Sequence, residues 1–509
     1  MSKQNILRSA AFLTLSGVIA KTIDFLFRAY YSKQLGSEGM GIFSLVFSFH
    51  GIMLTFATGG LGVAVSKTVS QQFTHKDLGN INKTMNLAIL SVLILSTVVI
   101  TSVFTFSEQI SVTFLKEPRT KNSIILLSPS ILFMGVSYCI KGFFYASRKV
   151  LIPASSEFLE QAVKILSTTA LLKKLLSHGV SHGCEAVFLG ITLGELSSCL
   201  YLTLFYIKFR NRHTSSCSTA KVFSSLMRIA LPAMATSLIG SFLRMQENVL
   251  ILSSLKKSGL DHTQALSSYG ILHGMVMPLI IFPLTLMSSC FTLLVPEISR
   301  ADGMQSRLRI KTLVSRIYRF TAFGGFLVCT IFITFSRELS QMVYASPHIA
   351  SSVRIIALFS PIMFLDSVSC GILNGLGKQS SLLRFSLSDS ALRLGLIAFL
   401  VPRMGVNALF IVIAISNIFT ASLTFGTAVK LTKTPFELSG WSLRHILAAV
   451  ITFVTVSSLS VFFAYSENNI ATILTIVFAV GVYILYSSCL CKNLRSDISW
   501  LMGRMFFNT

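Results

Sequence analysis

The sequence predicts an all-α polytopic membrane protein of about fourteen transmembrane helices, arranged as two six-helix lobes followed by two further helices. Three observations predict this class. Of 509 residues, 52% are hydrophobic and only 12% are charged, about half the charged fraction of a soluble domain. Apolar runs close to the roughly 20 residues that cross a bilayer recur along the whole chain. Lys and Arg collect in alternate connections between those runs, the charge asymmetry that orients membrane proteins.

Taken in order, the apolar runs lie near 6–31, 41–66, 84–106, 122–146, 155–176, 186–207, 224–255, 266–295, 313–335, 352–374, 383–401, 406–429, 443–465 and 470–491. The longest connections, near 208–223 and 296–312, are too short for a soluble domain. The expected division is a first lobe over 1–222, a second over 223–430, and two additional helices with a short cytoplasmic tail over 431–509. With the N-terminus inside, the inner connections hold 25 Lys and Arg, the outer ones 10, and the remaining 8 fall inside spans. That bias places both termini in the cytoplasm.

The net charge of +24 is read through the same rule. Basic patches interleaved with aromatics are lacking, so no nucleic-acid partner is expected. GxxxxGK[ST] and HExxH do not occur, and the nine cysteines show no CxxC spacing. No metal, no cofactor and no enzymatic activity are expected. The first apolar run is too long for a cleavable signal peptide and lacks a small-residue cleavage site.

The first run, ILRSAAFLTLSGVIAKTIDFLFRAYY, carries Lys21, Asp24 and Arg28 inside a segment otherwise fit to span the bilayer. Spacings of three and four put them on one helical face. A charge at membrane depth costs on the order of a few kcal/mol and is kept where it faces a partner or a polar cavity. Two readings follow: a polar pathway, or a triplet in which Asp24 neutralises Lys21 and Arg28.

The chain also repeats itself. ILRSAAFLTLSGVIAKTID aligns with LMRIALPAMATSLIGSFLR at a shift of 220, so that Arg8 meets Arg228 and Asp24 meets Arg244. ASRKVLIPASSEFLEQAVK aligns with GLGKQSSLLRFSLSDSALR at a shift of 229, bringing Glu160 onto Asp389 and Lys164 onto Arg393. Each half thus holds an acid–base pair at i, i+4 in its fifth helix. Both repeats start inside, so they are parallel repeats, an arrangement that places substrate near mid-membrane at the repeat interface.

Other intramembrane polar residues are Lys141, Glu157, Glu195, Glu247, Asp366, His50 and His273. Eight cations stand against seven acids within the spans. Lys21, Arg28 and Arg244 lie on the helices that open the repeats, and together they suit a phosphate or pyrophosphate. Asp24 and Glu247 are placed to orient or gate those cations. His50 is a proton carrier in one reading and a packed, hydrogen-bonded residue in the other. Pro278 and Pro283 are expected to bend the eighth span, and ATGGLG (57–62) to allow close helix approach in the second.

LGSEGMGIFSLVFSF (35–49) followed by GGLGVAVSK (59–67) resembles the first hairpin of the polysaccharide-flippase branch of the multidrug/oligosaccharidyl-lipid/polysaccharide (MOP) exporter superfamily. Leu243 to Gly303 is similar to the central region of the stage V sporulation protein B group. The resemblance implies a MATE-like fold and a flippase of the bacterial plasma membrane that moves a lipid-linked oligosaccharide, such as undecaprenyl-pyrophosphate-linked peptidoglycan precursor. It implies that first-helix and second-lobe cations contact the pyrophosphate; Lys21 matches one such position, and Arg28 stands one residue from a second. Cell-wall polymerases are implied partners, and spore-cortex or cell-wall synthesis the setting. The alternatives are a cation-coupled multidrug antiporter of the same superfamily and a non-transporting membrane scaffold for cell-wall synthesis.

Overall fold

The structure, a computed structural model, describes residues 3–74, 77–210, 218–292, 298–299, 303–304, 306–434, 443–460 and 469–491. The ends of the eighth and thirteenth apolar runs, part of the 208–223 connection and the tail from 492 lie outside the described residues. Among the described residues every regular element is a helix.

Contacts divide the chain into two compact units, Met1–Gly270 and Ile271–Thr509. The first holds α1 (Lys3–Thr58), α2 (Leu61–Thr74), α3 (Leu78–Gln109), α4 (Lys121–Leu127), α5 (Ser130–Ala146), α6 (Leu151–Leu175), α7 (Val180–Phe209), α8 (Thr219–Lys257) and α9 (His262–Tyr269). The second holds α10 (Met277–Thr292), α11 (Arg307–Thr334), α12 (Ser336–Tyr344), α13 (Ala350–Ala357), α14 (Ser360–Gly375), α15 (Gln379–Met404), α16 (Val406–Thr432), α17 (Arg444–Ser460) and α18 (Asn469–Leu490).

Among the described residues, nine helices are long and apolar enough to cross a membrane, and eleven when two bent pairs count as spans. The chain is therefore a multi-pass membrane protein, and the count is consistent with fourteen. One of the nine, Ser16–Thr74, covers the first two apolar runs. It is interrupted at Gly36, whose φ of 67° lies in the left-handed region that favours glycine. The fifth run, α6, misses the apolar threshold because Glu157, Glu160, Lys164, Lys173 and Lys174 dilute it. The thirteenth is a shorter apolar helix, Arg444–Ser458.

The internal repeat reappears as architecture. In unit 1 a turn starting at Pro118 leads into α4, then a 40° bend into α5. In unit 2 a turn starting at Pro347 leads into α13, then a 55° bend into α14. Pro129 and Pro361 stand at those bends. Each lacks a backbone donor and clashes with the preceding turn, so each span breaks there. Pro278 and Pro283 disturb the chain less: a π-helical segment, Gly270–Val276, runs directly into α10 just before Pro278 and accommodates its missing donor, and α10 continues through Pro283 within the single span His262–Met287.

Unit 1 is cored by apolar side chains of α2, α3, α5, α7 and α8, among them Val65, Met85, Phe143, Phe144 and Leu202. The α6–α7 pair packs backbone to backbone, since a Cβ on Gly194 would fall 2.9 Å from the Glu160 carbonyl oxygen. In unit 2, Ile317, Tyr318, Ile372, Leu373 and Ala428 form the core between α11, α14 and α16. The last two helices rest on α11 through Phe323, Ala448 and Tyr483, and the Tyr483 hydroxyl donates to the Phe323 carbonyl at 3.1 Å.

Candidate functional site

Lys21, Asp24, Arg28, His50, Arg244 and Glu247 all lie in unit 1. Helix α1 continues without a break from Lys3 to the glycine at 36, so Lys21, Asp24 and Arg28 do share one face. Their partners differ from one another. The Asp24 carboxylate takes Lys164 Nζ of α6 at 2.5 Å. Arg28 lies over the Phe43 ring, 5.4 Å from its centroid, a cation–π contact with the second limb of α1. Lys21 is exposed and has no ion-pair partner among the described residues.

The ion pair of Lys164 corrects one expectation. Lys164 bonds Asp24 on another helix, although Glu160 is its i, i+4 neighbour. In unit 2 the corresponding pair does form within its helix: Arg393 Nε stands 3.5 Å from Asp389, and both bond the Ser416 hydroxyl. The rest of the unit 1 network joins α5, α6 and α7. Lys141 Nζ lies 3.6 Å from Glu157, and the Glu160 and Glu195 carboxyls are near enough to act on each other.

Arg244 is exposed on α8. Its Nη2 donates to Ser241 Oγ at 3.3 Å, and Ser241 Oγ is 3.2 Å from Thr55 Oγ1. These contacts carry Arg244 to the second limb of α1; none of them joins it to Lys21. Glu247 is buried one turn further on. His50 is buried, with Nε2 2.8 Å from Ser130 Oγ. The Ser130 hydroxyl gives its single proton to the Leu127 carbonyl at 2.6 Å, so His50 Nε2 must be the donor in their bond.

A second charged constellation lies at the far end of unit 1. Glu117 is fully buried. Its carboxylate accepts from Arg119 Nε at 2.8 Å and from Arg119 Nη2 at 3.2 Å, and pairs with His262 Nε2 at 2.7 Å. Arg119 Nη1 reaches Glu38 at 2.6 Å. Burial works to raise Glu117, yet the Arg119 hydrogen bonds and the Arg119 and His262 charges together hold its carboxyl below the ordinary glutamate value. The sequence reading passed over Glu117 and counted only its basic neighbours. The available signal was Glu-Pro-Arg, in which Glu117 caps the turn that Pro118 opens and accepts from the Arg119 backbone N–H.

The chain matches the family described as Polysaccharide biosynthesis protein over residues 6–302 and the MatE family over 232–400. Stage V sporulation protein B of Bacillus subtilis (strain 168) is 24% identical over 89% of this chain and 89% of its own length. Lipid II flippase MurJ of the same organism is 21% identical over 94% and 93%. Among solved structures, an inward closed conformation of lipid II flippase MurJ has a TM-score of 0.72 at 15% identity, covering 95% of this chain and 99% of that one. An inward-facing MATE family transporter of the MOP superfamily has a TM-score of 0.67 at 15% identity, covering 83% and 98%. At such identities the structural likeness speaks to the fold.

Proposed function

Because the chain belongs to the polysaccharide biosynthesis protein family and shares its fold with MOP-superfamily transporters, we propose that it is a flippase for a lipid-linked oligosaccharide. The substrate class is a polyprenyl pyrophosphate carrying a sugar headgroup, with undecaprenyl-pyrophosphate-linked peptidoglycan precursor the leading member. The sugar and pyrophosphate cross through a polar pathway while the polyprenyl tail stays in lipid. We read the setting as spore-cortex or cell-wall synthesis at the plasma membrane, with cell-wall polymerases as downstream partners; relatives named for sporulation and for lipid II flipping support that reading. The loop charges favour both termini in the cytoplasm.

One observation carries the reading. Asp24 is engaged by Lys164, which leaves Lys21 as an exposed ammonium on the helix that opens the first repeat. An ammonium retained at that depth needs a compensating anion, and a pyrophosphate supplies one. Arg28 and Arg244 add guanidinium groups that can hold phosphate oxygens bidentately. In this reading Asp24 and Glu247 orient the cations, and His50 positions α1 against α5 through Ser130.

The test is lipid flipping in proteoliposomes with defined lipid-linked sugars. Wild type is expected to translocate a pyrophosphate-linked substrate, and Lys21→Ala to lose translocation while inserting normally. Full-rate flipping by Lys21→Ala and Arg244→Ala would overturn the site. Buried Glu195 with half-buried Glu160 beside it favours one second reading, a cation-coupled antiporter; drug resistance conferred on a pump-deficient host would support it.

A further inference from the structure

We infer that Glu117 is the hub of a clasp that holds shut a seam between 37–41 of α1 and 266–270, and that this seam parts during transport. The inference rests on the chain being an alternating-access transporter, but not on which lipid it carries. It begins with the seam, where two backbones touch with nothing between them. A Cβ on Gly270 would fall 2.0 Å from the Ser37 carbonyl oxygen and 2.5 Å from the Gly41 nitrogen. A Cβ on Gly41 would fall 2.4 Å from the Leu266 carbonyl oxygen. Ser37 Oγ and Ser267 Oγ meet at 2.5 Å. Met40, Leu266 and Tyr269 of the same two stretches are fully buried, so parting the seam repacks those side chains, while the glycine and serine positions let the backbones themselves separate and reclose.

The clasp sits over that seam and draws on three connections. Glu38 comes from the α1 break, Glu117 and Arg119 from the turn before α4, and His262 from the start of α9. Glu117 has no exposed surface, while Arg119, Glu38 and His262 each keep about a third of theirs (36%, 32% and 32%). Water therefore reaches the partners and not the hub. Closed, the hub carboxylate is satisfied by charge-assisted bonds; open, it can be hydrated directly. In both states the carboxylate has its partners, protein donors when closed and water when open, as a reversible clasp requires.

Helix α9 is fixed at its start, beside the hub. Asp261 and Gln264 form a reciprocal capping box at its start, and Thr263 Oγ1 donates to Asp261 at 2.7 Å. The remaining charges around the hub are Lys256, which faces Glu117, Lys116 and Asp261, and Glu185, which shares the neighbourhood of Arg119 and Glu38. Since Glu117 is held below the usual glutamate range, its carboxylate stays charged at neutral and mildly acidic pH, and the hub opens by exchanging partners and not by itself taking up a proton.

Two measurements on the full-length protein test this. Ser37→Cys with Ser267→Cys should form a disulfide on oxidation that stops flipping, and reductant should restore it; equal flipping by the cross-linked and reduced protein would overturn the proposal. Separately, Ser267→Cys alone should be labelled by a membrane-impermeant maleimide about fivefold faster when Glu117→Gln or His262→Gln is added, the ratio for one net hydrogen bond. Unchanged labelling in both variants would also overturn it. Should wild type move no lipid-linked sugar, the proposed substrate fails and the labelling ratio alone decides the clasp.

Discussion

Replacing Lys164 by Met should weaken substrate binding even though Lys164 is proposed to touch no substrate. Its ammonium stands 2.5 Å from the Asp24 carboxylate. Unit charges at that distance attract by roughly 7 kcal/mol at an effective dielectric of 20, before solvent is considered. The two partners are solvated unequally: the Lys164 side chain is 11% exposed and that of Asp24 54%. Stranding a buried charge costs about 3–5 kcal/mol, whereas exposed pairs are worth about 0.2–1 kcal/mol. Asp24→Asn, which strands the ammonium, should therefore destabilise the protein by about 3 kcal/mol. Lys164→Met strands a hydrated carboxylate and should cost about 1 kcal/mol. The freed Asp24 then lies one turn from both Lys21 and Arg28 and offsets their charge. A loss near 1 kcal/mol in anion affinity corresponds to about fivefold weaker binding. The double variant Asp24→Asn with Lys164→Met removes both charges and should recover most of the stability and the affinity. Thermal melts in detergent and the substrate dependence of flipping read the two effects. The reasoning fails if Lys164→Met leaves substrate dependence unchanged, or if the double variant is no better than the sum of the singles.

Four further outcomes are expected. Gly190→Ala should cost about 2 kcal/mol or more, because its Cβ would fall 1.9 Å from Thr168 Oγ1 and 3.1 Å from the Thr168 nitrogen, forcing α6 and α7 apart; a melt within error of wild type would contradict the packing. Gly36→Ala meets no atom within 4 Å, so only its backbone conformation, φ 67° with ψ −174°, opposes it, for about 1–3 kcal/mol by the same melt. Ser130→Ala removes the partner of buried His50 and should cost about 1–3 kcal/mol, which a denaturation midpoint measures. For Glu117, whose folded carboxyl is held below its unfolded value, the contribution to stability is fully present above the unfolded value and lost as pH falls through the folded one. With His262→Gln as the background, so that no imidazole beside Glu117 titrates in the window, melting temperature should thus show no Glu117-dependent step between pH 8 and about 5; a step there that Glu117→Gln abolishes would reverse the assigned sign.

The sequence by itself determined the membrane class, the succession of spans and the internal repeat. These depend on local quantities: the apolar length that matches a bilayer, and the residues that break or bend a helix. The bends themselves emerged only in the structure, at Pro129 and Pro361, and not in the eighth span, where Pro278 and Pro283 were expected to bend the chain. The sequence also singled out α1, since three charges inside an apolar run stand out without any knowledge of neighbours. Partnership was decided only by tertiary structure. Periodicity says that Lys21, Asp24 and Arg28 share a face, and that Glu160 and Lys164 do; it cannot say which helix packs against that face. The glycine contact that seats α7 against α6, and the packing of α6 on α1, bring Lys164 to Asp24 across 140 residues. Glu117 illustrates the same limit from the other side. In sequence it is one acid among basic loop residues, and it becomes a buried hub only because α1, the turn before α4 and the start of α9 converge around it.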